Sequence, residues 1–206
     1  MAYLNNCKSS LMEFGQNELY HIYNRGNNQS KIFFNPDNYL YFLGKVRKFI
    51  LPYCDILNYC LMPNHFHFLI HANERTIETK KVGHSYKNVF SEGIRNLLQS
   101  YAKGINKQNH STGSLFQQNT KAKNVSRSVN LYPEICFHYN HQNPMKAGIV
   151  RKMEDWDYSS FKDYSGLRNG TLCNQMLAFE LLDLKRESFY EDSYRVIPHN
   201  LLGEIF

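Results

Sequence analysis

The chain has no run of about 18 uncharged apolar residues, so no segment of it is long enough to serve as a membrane-spanning helix. Its start, Met1 to Phe14, carries Asn5, Asn6, Lys8, Ser9 and Ser10 and lacks the apolar block of a signal peptide, which makes a soluble, cytoplasmic protein with no membrane partner the expectation. Cysteine is sparse and scattered: Cys7, Cys54, Cys60, Cys136 and Cys173 are odd in number and form no C-x-x-C pair. That pattern suggests neither a disulfide framework nor a thiolate zinc site and points to reduced, mostly buried thiols. No internal repeat or low-complexity tract is present. With 206 residues and 42% hydrophobic content, one main domain with a buried core is expected.

The net charge of +6 is modest, but it is unevenly spread. Residues 75 to 127 hold ten Lys or Arg against two Glu, whereas residues 151 to 206 hold seven basic and ten acidic groups. A basic surface of this kind suits a polyanion, although a lysine-rich solvated face has the same composition.

Leu19 to Arg25 reads as a strand, with Tyr20, Ile22 and Asn24 alternating against His21, Tyr23 and Arg25 until Gly26-Asn27-Asn28 ends it. Pro36 and Asp37 open a predicted helix with an apolar stripe at Leu40, Leu43, Val46 and Ile50, stopped by Pro52. Tyr53 to Leu61 and His65 to His71 form a hairpin across Met62-Pro63-Asn64. Residues 72 to 90 read as a loop or short insertion. Ser91 is a candidate cap for a helix bearing Ile94, Leu97, Leu98, Tyr101 and Ile105. Ser114 to Val125 reads as a further strand. A third helix, capped by Ser128, carries Ile135, Cys136 and Tyr139 and is expected to end at Pro144. The order β-α-β-β-α-β-α predicts an α+β fold of the ferredoxin-like, split β-α-β type, an antiparallel sheet with helices on one face. We expect the main domain to span residues 15–150. Residues 151–206 would form a small helical extension, packed back through Trp156, Tyr158 and Phe161, with a helix over Gln175 to Tyr190.

Two segments carry chemistry. In Pro63-Asn64-His65-Phe66-His67-Phe68-Leu69-Ile70-His71 the period of a strand places His65 and His67 on one face, where two imidazoles can converge on a divalent ion. Imidazole suits manganese, zinc or iron better than magnesium, and a third ligand is still required. The alternative is a pair of histidines on a partly wet sheet face. His71 has the same parity but lies two pleats further on. In the stretch from His138 to Val150, Tyr139 and Asn143 are four apart, a spacing that stacks a phenol and an amide on one helix face. By spacing alone, Tyr139 equally continues an apolar stripe and Asn143-Pro144 is a common helix stop.

The strand motif, the opening Tyr20-His21-Ile22-Tyr23-Asn24-Arg25-Gly26-Asn27, the Tyr139 to Val150 stretch and Trp156-Asp157-Tyr158-Ser159-Ser160 occur in an order and spacing that resemble the REP-associated tyrosine transposases. These are a branch of the HUH single-strand DNA transposases, and the resemblance spans about residues 19 to 161. It implies a catalytic domain that cuts and rejoins single-stranded or hairpin DNA through one tyrosine and a divalent metal, Mg2+ or Mn2+. Carried over by position, Tyr139 becomes the nucleophile and His65, His67 and Asn143 the metal ligands. Apart from the resemblance, the basic window makes Lys121, Lys123 and Arg127, near the predicted strand-to-helix junction before Tyr139, candidate phosphate contacts, and Arg25 is a further candidate DNA contact. The resemblance leaves open whether one chain or a homodimer completes the site. The chain departs from the family where an aromatic or basic pair usually follows Phe-Gln, since Phe116-Gln117 is followed by Gln118-Asn119-Thr120.

Three rivals share parts of this pattern. A catalytically silent transposase derivative would bind hairpin DNA without cutting it. A metal-dependent nuclease would use bound water and release a free 5′ end. A replication-initiator relaxase would share the histidine pair and the tyrosine, but the motif order and short chain favour the transposase branch.

Overall fold

In the computed structural model, residues 13–126 and 132–197 are described. Four strands build the central sheet: β1 (Leu19–Arg25), β2 (Asp55–Met62), β3 (His65–His71) and β6 (Lys121–Asn124). Two more, β4 (Thr79–Val82) and β5 (Ser85–Asn88), make a separate hairpin. The main sheet has the order β2-β3-β1-β6 and every neighbouring pair is antiparallel. This is the split β-α-β arrangement. Its crossovers are α1 (Pro36–Phe49) and α3 (Val89–Gln108), with the short α2 (Glu74–Ile77) between β3 and β4.

Strand alternation divides the core in two. Tyr20, Ile22, Ile56, Tyr59, Leu61, Phe66, Phe68 and Ile70 pack against α1 and α3. On the opposite face, Leu19, Leu57 and Leu69 pack against Cys136 and Phe137 of α4 (Tyr132–Lys146). The same core takes Phe161 and Tyr164 of α5 (Phe161–Tyr164), Phe179 of α6 (Gln175–Leu181) and Phe189 of α7 (Phe189–Ser193). The extension also seals the outer edge of β2. The Leu61 N–H donates to the Tyr158 carbonyl at 2.8 Å, and the Ser160 N–H donates to the Tyr59 carbonyl at 3.0 Å, so an otherwise unpaired edge is covered.

Several expectations need correction. The buried face of α1 is Tyr39, Phe42 and Val46, with Ile50 following, whereas Leu40 is 61% exposed. Tyr39 and Phe42 take the place given to Leu40, while Leu43 packs at the edge of the core and Val46 and Ile50 lie in it as expected. Residues 72–90 contain α2 and the exposed β4–β5 hairpin, made from polar, lysine-rich strands that give no core alternation. Helix α3 is capped by Asn88, whose side chain accepts from the Ser91 N–H, so Ser91 lies inside the first turn. The strand expected from Ser114 is regular only from Lys121, because Phe116 makes a lone bridge to Gly26. In place of one helix over Gln175 to Tyr190 there are two short ones, α6 and α7.

Helix α4 runs through Pro144 and stops two residues later. Its stop is a left-handed glycine: Gly148 has φ 68°, its N–H donates to the Met145 carbonyl at 3.0 Å, and the Ile149 N–H donates to the Pro144 carbonyl at 3.0 Å. These paired bonds cap the last carbonyls, and a proline in the final turn costs the helix only one internal bond. Asn143 therefore keeps helical geometry. The Ser128 cap lies outside the described residues, as does Cys7. Cys54, Cys60, Cys136 and Cys173 are free thiols, the first three buried. Among the described residues no helix is long and apolar enough to cross a membrane.

Candidate active site

The register of β1 against β3 sets the site. Tyr23 faces His67 and Arg25 faces His65 across the ladder, all four on the α4 side of the sheet. Together with Asn24, Tyr139 and Asn143 they line one cavity of about 370 Å3, a size suited to part of a nucleotide. Tyr139 is half-buried and borders this space, and Asn143 sits one helical turn beyond it.

The imidazoles are oriented by neighbours. The rings of His65 and His67 lie 4.9 Å apart, centroid to centroid, and almost perpendicular at 88°. His65 Nδ1 donates to the Asn64 side-chain oxygen at 2.6 Å, which leaves the lone pair on Nε2. His67 Nδ1 lies 2.9 Å from Nε2 of the fully buried His21, with the two rings stacked at 5.1 Å. A lone pair on His67 Nε2 requires Nδ1 to carry the proton and His21 Nε2 to accept it. Both histidines are held neutral. Burial, and then the Arg25 charge, push His65 down to about 4, while burial and the neighbouring His21 and His65 push His67 well below its ordinary value. Neutral imidazole is the form that binds metals.

Helix α4 is positioned from behind. Strand β2 carries a bulge between Ile56 and Asn58, which turns the buried Asn58 toward the helix. Its amide donates to the Phe137 carbonyl at 2.8 Å, and its oxygen accepts from Asn140 Nδ2 at 3.0 Å and from the Leu69 N–H at 3.2 Å. His141 Nε2 meets Ser160 Oγ at 2.8 Å, and His138 Nδ1 meets Ser193 Oγ at 3.1 Å. Gln142 donates to the Ser193 and Arg195 carbonyls at 2.7 and 2.9 Å. The extension thus grips one side of α4 while Tyr139 and Asn143 occupy the other.

Burial raises the Tyr139 phenol above its ordinary value and lowers the amine of Lys146, which lies 4.7 Å from the centre of the Tyr139 ring. The phenol is accordingly protonated at neutral pH. Asn143 Nδ2 donates to the Tyr139 carbonyl at 3.2 Å, so the amide oxygen is the atom left for a ligand. Among the described residues, no three His, Cys, Asp or Glu side chains converge as a metal site. The donors brought together are two neutral imidazoles and one amide, a set that fits Mn2+ with water completing its shell better than Mg2+.

Of the candidate DNA contacts, Arg25 lines the cavity. Lys121 and Lys123 pair with Tyr23 and His21 on the adjacent strand and so share that face of the sheet, outside the cavity wall. Arg127 lies outside the described residues. Sequence reasoning passed over His21 and Asn58. Their signals were parity with His67 for the first, and a lone amide within an apolar strand for the second.

No family model matches the chain, and no curated protein does. Among solved structures it is similar to a REP-associated tyrosine transposase bound to a REP hairpin, with a TM-score of 0.57 and 17% identity over 76% of this chain and 86% of that one. At that identity the likeness establishes a shared fold.

Proposed function

We propose that this chain is a DNA strand transferase of the tyrosine type, in which Tyr139 attacks a backbone phosphate of single-stranded or hairpin DNA held beside His65, His67 and Asn143. The observation that carries this reading is one cavity into which β3 delivers both imidazoles, a helix some seventy residues later the phenol and the amide, and β1 the Arg25 side chain. The likeness in fold to a transposase bound to a DNA hairpin supports it.

His65, His67 and the Asn143 oxygen would hold a divalent cation, whose chemistry when bound is Lewis-acid polarisation of a non-bridging phosphate oxygen. The guanidinium of Arg25 adds positive charge against the same phosphate. The Tyr139 oxygen attacks phosphorus in line with the leaving 3′ oxygen. As the new O–P bond forms, the P–O3′ bond breaks, and the phenol proton is accounted for by the 3′-hydroxyl released. The product is a 5′-phosphotyrosyl protein. Because the phosphodiester is exchanged and not hydrolysed, a second 3′-hydroxyl can reverse the step onto a new strand without a nucleotide cofactor.

Incubation of the chain with Mn2+ and a labelled single-stranded oligonucleotide should yield a denaturant-resistant protein–DNA band that Tyr139→Phe abolishes while DNA binding persists. A cleaved product with a free 5′ phosphate and no adduct would favour hydrolysis by water. Binding without cleavage would favour a silent hairpin-DNA-binding protein.

A further inference from the structure

A cavity larger than the one that holds Tyr139 lies elsewhere among the described residues. It is a groove of about 750 Å3 between α3 and the 111–120 segment, with helix residues from Ser91 to Asn106 on one wall. At 1.5 Å per residue it runs about 22 Å. Its wall is braced, because Asn106 Nδ2 donates to the Gly113 carbonyl at 3.0 Å and the Ser111 N–H donates to the Asn106 carbonyl at 2.9 Å.

We propose that this groove is a base-reading subsite for an unpaired nucleic-acid strand on its way to the Tyr139 cavity, an inference that rests on the strand-transfer reading. Leu98, Ala102 and Leu115 give a half-buried apolar floor, the surface on which the flat face of a base can lie. The exposed amides of Gln118 and Asn119 each offer a donor and an acceptor side by side, the pairing that matches base edges. Lys103 supplies a cation for backbone phosphate. The side chains of Gln118, Asn119 and Lys103 make no hydrogen bond or ion pair with the described residues, whereas Arg95 is engaged by Glu92 at 2.7 Å and by Gln99 at 3.1 Å.

The groove and the cavity are linked by hydrogen bonds at the end of β1. Asn24 Nδ2 donates to the Gln117 carbonyl at 3.2 Å and to Thr120 Oγ1 at 2.9 Å, and the Gln117 N–H donates to the Arg25 carbonyl at 2.9 Å. Asn24 and Arg25 also line the Tyr139 cavity. A strand leaving the groove over residues 116–120 therefore reaches the end of β1, on whose α4 side the Tyr139 cavity opens. The Gln118-Asn119-Thr120 segment, where the chain departs from the family pattern, lies on that path.

Selection from a pool of single-stranded 12-mers with random central positions, captured on the full chain and sequenced, tests the assignment. Wild type should enrich a base preference, and Tyr139→Phe should keep it. The double variant Gln118→Ala/Asn119→Ala should lose the preference and bind the enriched strand about ten-fold more weakly, with binding to an all-abasic strand unchanged. Lys103→Glu, on an exposed helix position, should weaken binding to every strand, the abasic one included, and leave the preference intact. No enrichment by wild type, or preference and affinity retained in the double variant, would overturn the groove assignment. A wild-type chain that shows the preference but forms no covalent adduct would instead bring down the strand-transfer reading alone.

Discussion

Asn58 is the residue through which the sheet holds the helix that bears Tyr139, and its removal should be costly out of proportion to its size. The side chain is fully buried and makes three hydrogen bonds, to the Phe137 carbonyl, the Asn140 amide and the Leu69 N–H. In Asn58→Ala the Phe137 carbonyl keeps its helical partner. The buried Leu69 N–H and Asn140 amide lose the acceptor that Asn58 supplies. Leaving buried polar groups unsatisfied costs about 1–3 kcal/mol each, so a loss of about 3 kcal/mol is expected. For a chain of this size that corresponds to a fall in Tm of about 6–12 °C. Guanidinium denaturation followed by tryptophan emission measures it directly, since Trp156 is the one tryptophan and its indole N–H donates to the Leu61 carbonyl on the same strand. Adduct formation should fall further than the folded fraction does, because α4 loses its register over the imidazoles. A variant within about 1 kcal/mol of wild type would refute the claim that this amide fixes the helix.

Three further outcomes follow from the same geometry. His21→Phe should weaken Mn2+ binding about 10–100-fold by calorimetry, because His67 loses the acceptor that holds its Nδ1 proton, while His21→Gln, which retains an acceptor, should recover most of it; equal affinities for wild type and His21→Phe would exclude the orienting role. His138 is held down to about 4 because burial outweighs the nearby Asp192 carboxylate, so in the unfolded chain it takes up a proton below about 6.5 and in the folded chain it does not. Its contribution is complete above pH 6.5 and is lost as pH falls toward 4, about 3 kcal/mol in all, which His138→Asn should remove from the pH dependence of the denaturation midpoint. An unchanged slope would contradict it. Lys121→Ala should lower the slope of log affinity for single-stranded DNA against log salt by about 0.7, one phosphate contact, whereas an unchanged slope would place Lys121 off the DNA path.

How much of this was readable in the residues depends on which force decides each feature. The bounds of β1 and β3 and the convergence of His65 with His67 follow from the period of a strand, and the structure keeps Leu19–Arg25 and His65–His71 as read. The cavity that unites them with Tyr139 and Asn143 depends on β1 lying against β3, which the split β-α-β order implies. Where tertiary packing outweighs a local pattern, the reading slips: α1 buries Tyr39 and Phe42 in preference to Leu40, and α4 passes Pro144 because Gly148 closes it. The anchoring of α4 by the extension could not be read, because Asn58, Ser160 and Ser193 are single polar residues whose partners lie up to 101 positions away. The groove beside α3 is likewise a product of how residues 111–120 fold back on the helix.

In the proposed reaction the Tyr139 phenol and the imidazoles of His65 and His67 act on one phosphate. Peptide mapping of the trapped protein–DNA adduct tests it most directly, because the tryptic peptide spanning residues 128–146 contains both Tyr132 and Tyr139, and fragmentation separates them. A nucleotide remnant is expected on Tyr139 alone, formed only with a divalent cation present and absent in His65→Ala/His67→Ala. A remnant on Tyr132 or on any other residue, or an adduct that persists without the histidines, would contradict it.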